Sequence, residues 1–343
     1  MIRNTTTAQC KAVTVLPFNK TWSSKMKILK FTFLFLAVIA TPTSALADDH
    51  GGKASQKAVL ITGASSGIGA KMTETLAGQG YYVYAGARKE ADLKRLDAMD
   101  NVTAVKLDVT KQDQIDAAAE FVREQGRGLY GLVNNAGVVV VGPLIETPIE
   151  ELEFQMDVNV TGVVRVTQAF APLIIESKGR ITTTGSISGI LSGNLFGIYA
   201  MSKHAIEAFT DSLAAEMERF DVQVSVIEPG NYKSQIGKTF AKRLADNNYI
   251  AADSAYAADM QAMASRIGQS DQAKEPDEVA DAVLHALFSE TPKRRYMVTP
   301  NAGQSEFTVR QAMREMLQLN HDHPYTLDRD ALLKMMDEVS SEL

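Results

Sequence analysis

The sequence predicts a doubly wound α/β protein built on a single parallel sheet, and three observations carry that prediction. Short, nearly continuous apolar runs recur through residues 57–300, helix-spaced apolar patterns fill the gaps between them, and the first run opens into a glycine-rich turn. Continuous rather than alternating apolar runs are what parallel strands require, because helices cover both faces of such a sheet. Regular strand-helix alternation then builds crossover units and one open sheet. The 343 residues allow one large domain or two ordinary ones, and 45% apolar with 22% charged residues excludes wholesale disorder.

Residues 1–47 do not belong to that pattern. They hold Arg3, Lys11, Lys20, Lys25, Lys27 and Lys30 and no acidic residue. The apolar run 31–40 follows Lys30 and precedes Ala45-Leu46-Ala47 and then Asp48-Asp49. Basic, then apolar, then A-x-A is the order of a secretory signal, and the run is short against the roughly 20 residues of a membrane span. Export to a periplasmic compartment is therefore expected, with a cytoplasmic protein as the alternative and membrane attachment only through an uncleaved leader. No twin arginine precedes the run, so a Sec-type route is expected. Met26 would begin a 22-residue signal and Met1 a longer extension, and both starts stay open.

Splitting the chain there changes its composition. Cys10 and Trp22 both lie in the leader, so the other 296 residues contain neither, and their 29 basic against 41 acidic residues give −12. That charge offers no surface to nucleic-acid phosphate. One cysteine and five histidines build neither a disulfide framework nor a Cys-rich zinc site, and no metal is expected.

A linker over 48–56 leads into the body at 57–300, which 301–343 extends. Strands are expected over 58–62, 82–86, 104–107, 131–134, 181–185, 223–228 and 296–298, each a compact apolar run. Helices are expected over 68–79, 112–124, 159–176 and 200–219. Beyond 301 the helix-spaced Met and Leu of 309–319 and 332–339 predict a C-terminal helical extension, its methionines reading as core or interface filler.

The first strand runs into Thr62-Gly63-Ala64-Ser65-Ser66-Gly67-Ile68-Gly69 and then a helix. Glycines let the backbone turn sharply and approach a pyrophosphate, which the N–H groups and dipole of the helix N-terminus attract. Such a turn means little alone; its place at the mouth of the first helix is the context the motif requires. The second strand should end near an adenosine ribose. It reads Tyr84-Ala85-Gly86-Ala87-Arg88-Lys89, without a terminal carboxylate for a ribose hydroxyl. Arg88 can pair with a 2′-phosphate, so NADP(H) is favoured over NAD(H). The alternative is that Arg88 and Lys89 are solvated first-turn charges. Asn134-Asn135-Ala136-Gly137 follows the fourth strand, where side-chain amides beside small residues can tie strands together and let a cofactor approach.

Tyr199 and Lys203 are four apart on an expected helix and share a face. A phenol is a poor acid-base group at neutral pH, and a nearby ammonium favours its ionised form. Tyr-x-x-x-Lys alone is common. Here it has company in Ser186, at the carboxyl end of the fifth strand, where ligands bind in open α/β sheets. Asn159 interrupts an apolar helical stretch, which calls for a bend or a bound water. Pro229, Gly230 and Ser234 follow the sixth strand.

With these motifs in this order, residues 57 to about 300 resemble the short-chain dehydrogenase/reductase family in its single-domain, Rossmann-like form. The resemblance implies hydride transfer between a nicotinamide and a small-molecule carbonyl or alcohol. Tyr199 would be the acid-base group, Lys203 would bind the nicotinamide ribose and lower the Tyr199 pKa, Ser186 would hold the substrate oxygen and Asn159 a relay water. Asp108, after the third strand, would border the adenine. The cofactor would also meet Gly63, Ser65, Ser66, Gly67, Ile68, Gly69, Asn135, Ala136, Gly137, Pro229, Gly230 and Ser234, the last standing where the family usually has Thr. Homodimers or homotetramers are implied as well. A softer likeness to hydroxysteroid- and retinol-type members does not name a substrate. The stretch from Gly230 to about Ser265, with Tyr232, Phe240, Tyr249, Tyr256 and Met260, should cover a medium-sized, partly apolar one.

Other readings are weaker. His204 is adjacent to Lys203 and so faces elsewhere, His321-Asp322-His323 reads as a polar turn before Pro324, and His50 and His285 stand apart from other ligand residues. Ser186 has no G-x-S-x-G elbow or matched histidine and the glycine loop no G-K-[ST], which disfavours a nucleophilic hydrolase and a transferase. The remaining rival is a non-catalytic NADP-binding sensor or scaffold, raised by placing a nucleotide site behind an export signal.

Overall fold

The computed structural model of the chain describes residues 56–247, 251, 253–268 and 273–342. The expectations placed on the leader, with Cys10, Trp22 and His50, lie outside the described residues, and so does Tyr249.

Seven parallel strands form one sheet in the order β3-β2-β1-β4-β5-β6-β7. They are β1 Ala58–Ile61, β2 Tyr82–Ala87, β3 Val102–Lys106, β4 Gly131–Asn134, β5 Arg180–Thr184, β6 Gln223–Pro229 and β7 Arg295–Val298. The chain works outward from β1 to β3, then returns to β4 on the other side of β1. That reversal opens a crevice at the carboxyl ends of β1 and β4.

The apolar runs are continuous because the strands are covered twice. Ala58 and Leu60 of β1 point into one core, Val59 and Ile61 into the other. The first core takes Ile115 and Val122 from α3 (Gln112–Glu124), Val166 and Phe170 from α5 (Gly162–Glu176), and Ala214 from α6 (Gly197–Met217). The second takes Met72 and Leu76 from α1 (Gly67–Gly78), Leu96 from α2 (Glu90–Asp97), and Val279 and Val283 from α9 (Asp277–Phe288). Each Leu, Ile, Val, Phe or Met side chain among them contributes about 1.5–3 kcal/mol by leaving water.

The helix expected over 159–176 is not regular. A helix α4 (Ile149–Met156) passes through a π-helical turn at Asp157–Thr161 before α5 begins. Gly162 N–H reaches back to the Asp157 carbonyl, one residue further than in an α-helix. By length and composition Ile149–Glu176 could cross a bilayer, yet half of its most apolar window is buried inside the protein.

Two helices, α7 (Ile236–Asn247) and α8 (Ala257–Gly268), follow β6. Arg243 Nε and Asn247 Nδ2 on α7 donate to the buried Glu151 carboxylate of α4 at 2.6 and 2.7 Å. The C-terminal extension is α10 (Ala302–Leu319) and α11 (Arg329–Ser341), capped by Asn301 and Asp328, which accept from Gln304 N at 3.0 Å and Ala331 N at 2.9 Å. His323 closes the turn between them, its Nδ1 accepting from Tyr325 N at 3.1 Å. His285, which looked isolated in the sequence, lies 2.8 Å from the Tyr296 hydroxyl.

Candidate active site

The glycine turn is built for close approach. Gly63 and Gly67 have φ of +65° and +54°, which disfavour any side chain. A Cβ on Gly69 would fall 2.3 Å from the Gly63 carbonyl oxygen, and one on Gly63 would fall 2.9 Å from Ala136 Cα. Ser66 is the extended N-cap of α1 and uses no side-chain cap, so the first N–H groups of α1 stay open to a ligand. Ser65 and Ile68 complete the turn, with Arg95 donating to the Ser65 carbonyl at 2.5 Å.

Asn135 and Thr62 lock this turn to the β4 loop. Asn135 Nδ2 donates to the carbonyls of Thr62 and Gly63 at 3.0 and 3.2 Å, while Thr62 Oγ1 accepts from Asn135 N and Ala136 N at 2.9 and 3.0 Å. Asn134 points the other way, into α5, donating to Thr167 Oγ1 at 3.0 Å. Ser234 packs beside the turn, since a Cβ on Gly67 would meet its Cα at 3.3 Å. Pro229 ends β6, and Gly230 N donates to the Val298 carbonyl at 2.7 Å.

Arg88 follows β2 with its side chain 64% exposed, Nη1 lying 3.9 Å from Asp108 Oδ2. The other Asp108 oxygen accepts from Thr110 N and Oγ1 at 3.0 and 2.8 Å, which fixes the turn after β3. Glu90 is committed elsewhere, 3.1 Å from Lys106 Nζ.

The second group lies at the carboxyl end of β5. Ser186 begins the short 3₁₀ turn Ile187–Gly189 and accepts from Ser188 N at 3.1 Å. Its hydroxyl is near enough to Tyr199, on the first turns of α6, to pull the phenol pKa down. Lys203, one turn on, is 6% exposed, and Nζ donates to the Thr184 carbonyl at 2.9 Å. Burial pulls the Lys203 pKa down to about 8, against the opposing charge of Glu207. His204 is exposed and turned away, bonded to the Ala200 carbonyl at 2.9 Å.

Burial opposes the lowering of Tyr199 by Lys203 that the resemblance implies. Burial holds the Tyr199 phenol above its ordinary value, with Ser186 pulling against it. The Lys203 ammonium is aimed at the Thr184 carbonyl and stands 5.6 Å from the Tyr199 ring centroid.

Asn159 sits in the π-helical turn, so the misfit read in the sequence is a bend. Its Oδ1 accepts from Val138 N at 2.8 Å, and Nδ2 donates to the Val138 carbonyl at 3.0 Å and Ser202 Oγ at 3.2 Å. One Oδ1 lone pair is left over. Sequence reasoning missed Gln155, one turn earlier and fully buried. It accepts from Val140 N at 2.6 Å and donates to the Val138 carbonyl at 2.8 Å. Spacing four from Asn159 was the available signal. Both amides hold the loop after Gly137, and both reach Ser202, which donates to the Tyr199 carbonyl at 2.7 Å.

An apolar wall stands beside Tyr199. Val139, Val141 and Leu195 pack with Phe240 of α7 and Met260 of α8, with Tyr256 at their edge. Tyr232, expected in this cover, is instead buried against α9 in the second core, and burial pushes its pKa up to about 12.

Residues 57–245 match the short chain dehydrogenase family model. An uncharacterized oxidoreductase, YbbO, of Escherichia coli K12 is 37% identical over 254 residues, 72% of this chain and 87% of its own. A Burkholderia phymatum short-chain dehydrogenase/reductase solved with NAD aligns at TM-score 0.66 and 26% identity, covering 80% of this chain and 99% of its own. A Burkholderia cenocepacia short-chain dehydrogenase solved with NADP aligns at 0.60 and 25%, covering 78% and 98%. The match over more than half the chain, with a relative of this identity, makes this protein a member of the short-chain dehydrogenase/reductase family and an oxidoreductase of the NAD(P)-binding kind.

Proposed function

We propose that this enzyme interconverts a carbonyl and an alcohol with NADP(H), Tyr199 serving as the acid-base group. The observation that carries the reading is the meeting of Tyr199, Ser186 and Lys203 at the sheet's carboxyl edge, beside a glycine turn with no room for side chains. The bound nicotinamide supplies the hydride chemistry, and the protein supplies placement and proton traffic.

The α1 N-terminus and Gly63, Gly67 and Gly69 hold the pyrophosphate, with Ser65, Ser66 and Ile68 shaping the turn. Arg88 faces the ribose 2′-phosphate, and its exposure leaves the guanidinium free to form a bidentate pair. Asp108 borders the adenine; Asn135, Ala136 and Gly137 floor the site; Lys203 holds the nicotinamide ribose; Pro229, Gly230 and Ser234 close on the carboxamide. In the reducing direction Tyr199 Oη gives its proton to the substrate oxygen, which Ser186 holds. A phenol kept protonated by burial suits that donation. Asn159 orders the loop beneath and keeps one lone pair for a relay water. The wall of Val139, Val141, Leu195, Phe240 and Met260 favours a partly apolar substrate.

Tyr199→Phe tests the reading. NADPH binding, followed by nucleotide fluorescence, should persist while reduction of ketones and aldehydes disappears. A wild type that binds NADPH and reduces nothing across a broad carbonyl panel would sink it.

The protein is further proposed to form homo-oligomers through the extension. Phe307, Met313 and Leu317 of α10 and Met335, Met336 and Val339 of α11 are each 44–60% exposed, and Leu319 is 82% exposed. With Tyr325 these are large apolar side chains that the extension leaves to solvent. A second copy covers them, and sedimentation of Met313→Glu against wild type tests it: an unchanged assembly rejects the assignment. Export is proposed from the leader alone, and a mature chain beginning at Met1 or Met26 in the cytosol would refute it.

A further inference from the structure

Behind Ser186 and Lys203 lies a buried carboxyl pair that the proposed chemistry leaves unused. Glu207 is one turn past Lys203 on α6, and Glu228 is 2% exposed on β6. The carboxyl of Glu228 lies against that of Glu207. Arg295 of β7 completes the group, Nε lying 3.1 Å from Glu207 Oε2 and Nη2 2.6 Å from Asp211 Oδ2.

The pair backs the active-site loop directly. A Cβ on Gly189 would fall 2.9 Å from Glu207 Oε1, and one on Gly185 3.2 Å from the same atom. Ser186 therefore rides on a turn whose flanking glycines leave room for this carboxyl.

Two touching carboxyls cannot both ionise cheaply, because each charge disfavours the other in a desolvated place. Oε1 of Glu207 and Oε1 of Glu228 are both buried, and neither finds an N–H or hydroxyl donor. A contact between two carboxyls becomes a hydrogen bond when one of them keeps a proton. Consistent with this, burial and the Glu207 charge push Glu228 up to about 7. The charged groups facing the pair are Lys203 and Asp211 on α6, one turn to either side, and Arg295 from β7, with Arg294 3.8 Å from Asp211. The turn after β5 contributes Ser186, Ser188 and backbone, with no titratable side chain between 185 and 190.

We propose that Glu207 and Glu228 share one proton as a positioning pair, and that the negative charge left on it keeps Lys203 an ammonium while the pair props the Ser186 turn. The role assigned to Lys203 rests on the function proposed above; the shared proton does not. Lys203 is buried with the Thr184 carbonyl as its hydrogen-bond acceptor, so the Glu207 charge is what opposes its desolvation. Glu228 protects that charge by taking the proton itself.

The test uses the full-length protein and two isosteric variants, Glu207→Gln and Glu228→Gln. The Lys203 side chain is titrated by NMR in lysine-labelled protein, its signal assigned by its loss in Lys203→Met. Infrared spectra at about pH 6 read the carbonyl band of a protonated buried carboxyl, which a group of ordinary Glu pKa would largely lack. Glu207→Gln should move the Lys203 midpoint down by up to about one pH unit, the size of a nearby charge at intermediate dielectric, because Glu228, which then gives up its proton, is not among the charges that act on Lys203. Glu228→Gln should abolish the protonated-carboxyl band and leave the Lys203 midpoint within a few tenths, since its amide can donate to Glu207. The alkaline limb of the kcat/KM profile should follow the Lys203 midpoint. An unmoved midpoint in Glu207→Gln, or a wild type without a Glu228-dependent band, overturns the pair; if Glu207→Gln fails to fold, the band decides. Both spectroscopic readouts are independent of turnover, so an enzyme inactive on every carbonyl would sink the function and leave the pair standing.

Discussion

Lys203 donates from Nζ to the Thr184 carbonyl at 2.9 Å, pinning α6 to the end of β5 while its ammonium stands 5.6 Å from the Tyr199 ring centroid. The residue is thus a structural tie as well as a charge at the site. That charge is held in a place that disfavours it.

The consequence is a stability that depends on pH. Lys203 titrates at about 8 in the folded chain against 10.5 for a free lysine. Below pH 8 it is charged in both states, and folding bears the full penalty, up to about 3 kcal/mol from a shift of this size. Between about 8 and 10.5 the unfolded chain binds the extra proton, so stability rises with pH through that window. Lys203→Met removes the penalty and loses one hydrogen bond of about 1 kcal/mol. At neutral pH the variant should be inactive yet more stable by about 1–2 kcal/mol, which thermal unfolding at several pH values would register. A variant less stable than wild type at pH 7, or a gap that does not narrow toward alkaline pH, would contradict this.

Arg88 offers a separable test of cofactor choice. Its guanidinium is largely exposed and only loosely engaged with Asp108, 3.9 Å away, so replacing it disturbs little else. Arg88→Glu should weaken NADPH binding about 10–100-fold, the worth of a charge-assisted phosphate contact. NADH binding should hold or improve, because the new carboxylate can accept from the ribose hydroxyl. Equal losses for both nucleotides would remove Arg88 from the 2′-phosphate.

Glycines in α1 divide by what stands in front of them. Gly69→Ala would place a methyl 2.3 Å from the Gly63 carbonyl oxygen and 2.5 Å from Asn135 Nδ2, forcing the turn apart. At Gly78, at the far end of the same helix, an added methyl would meet nothing within 4 Å. Gly78→Ala should stabilise the protein by about 0.5–1 kcal/mol through reduced chain entropy. Gly69→Ala should abolish nucleotide binding, and calorimetry on the two variants side by side separates a site effect from a helix effect.

Local spacing made Tyr199, Lys203 and Ser186 readable in the sequence, since helix pitch and strand ends set their positions. Glu207 shows the limit. It is spaced four from Lys203 in plain view, yet a glutamate on a long helix reads as solvated until β6 and β7 are known to bring Glu228 and Arg295 to it. Asn159 was readable as a misfit, but its partner Val138 lies on a loop 21 residues earlier, beyond any periodic signal. Tyr232 failed for the converse reason: an aromatic in a covering loop reads as part of the cover, and only the packing of α9 shows that it faces the core.

The Gln155 amide holds the loop on which the site rests. It is fully buried, accepts from Val140 N at 2.6 Å, and donates to the Val138 carbonyl at 2.8 Å with Ser202 Oγ at 3.4 Å. Asn159 grips Val138 from the same side, so the loop is clamped by two amides one helical turn apart. Gln155→Leu keeps the bulk and strands the buried Val140 N–H, at a cost of about 1–3 kcal/mol. At about 2–4 °C per kcal/mol for a domain of this size, Tm should fall by roughly 2–12 °C. Ser202 and the Tyr199 carbonyl lose part of their support, so kcat should drop further than nucleotide affinity. Gln155→Glu keeps the acceptor for Val140 N but sets a carboxylate against the Val138 carbonyl, and should recover part of the stability only at low pH, where the carboxyl is protonated and can donate. A Gln155→Leu protein with unchanged Tm and kcat would show that Asn159 alone holds the loop.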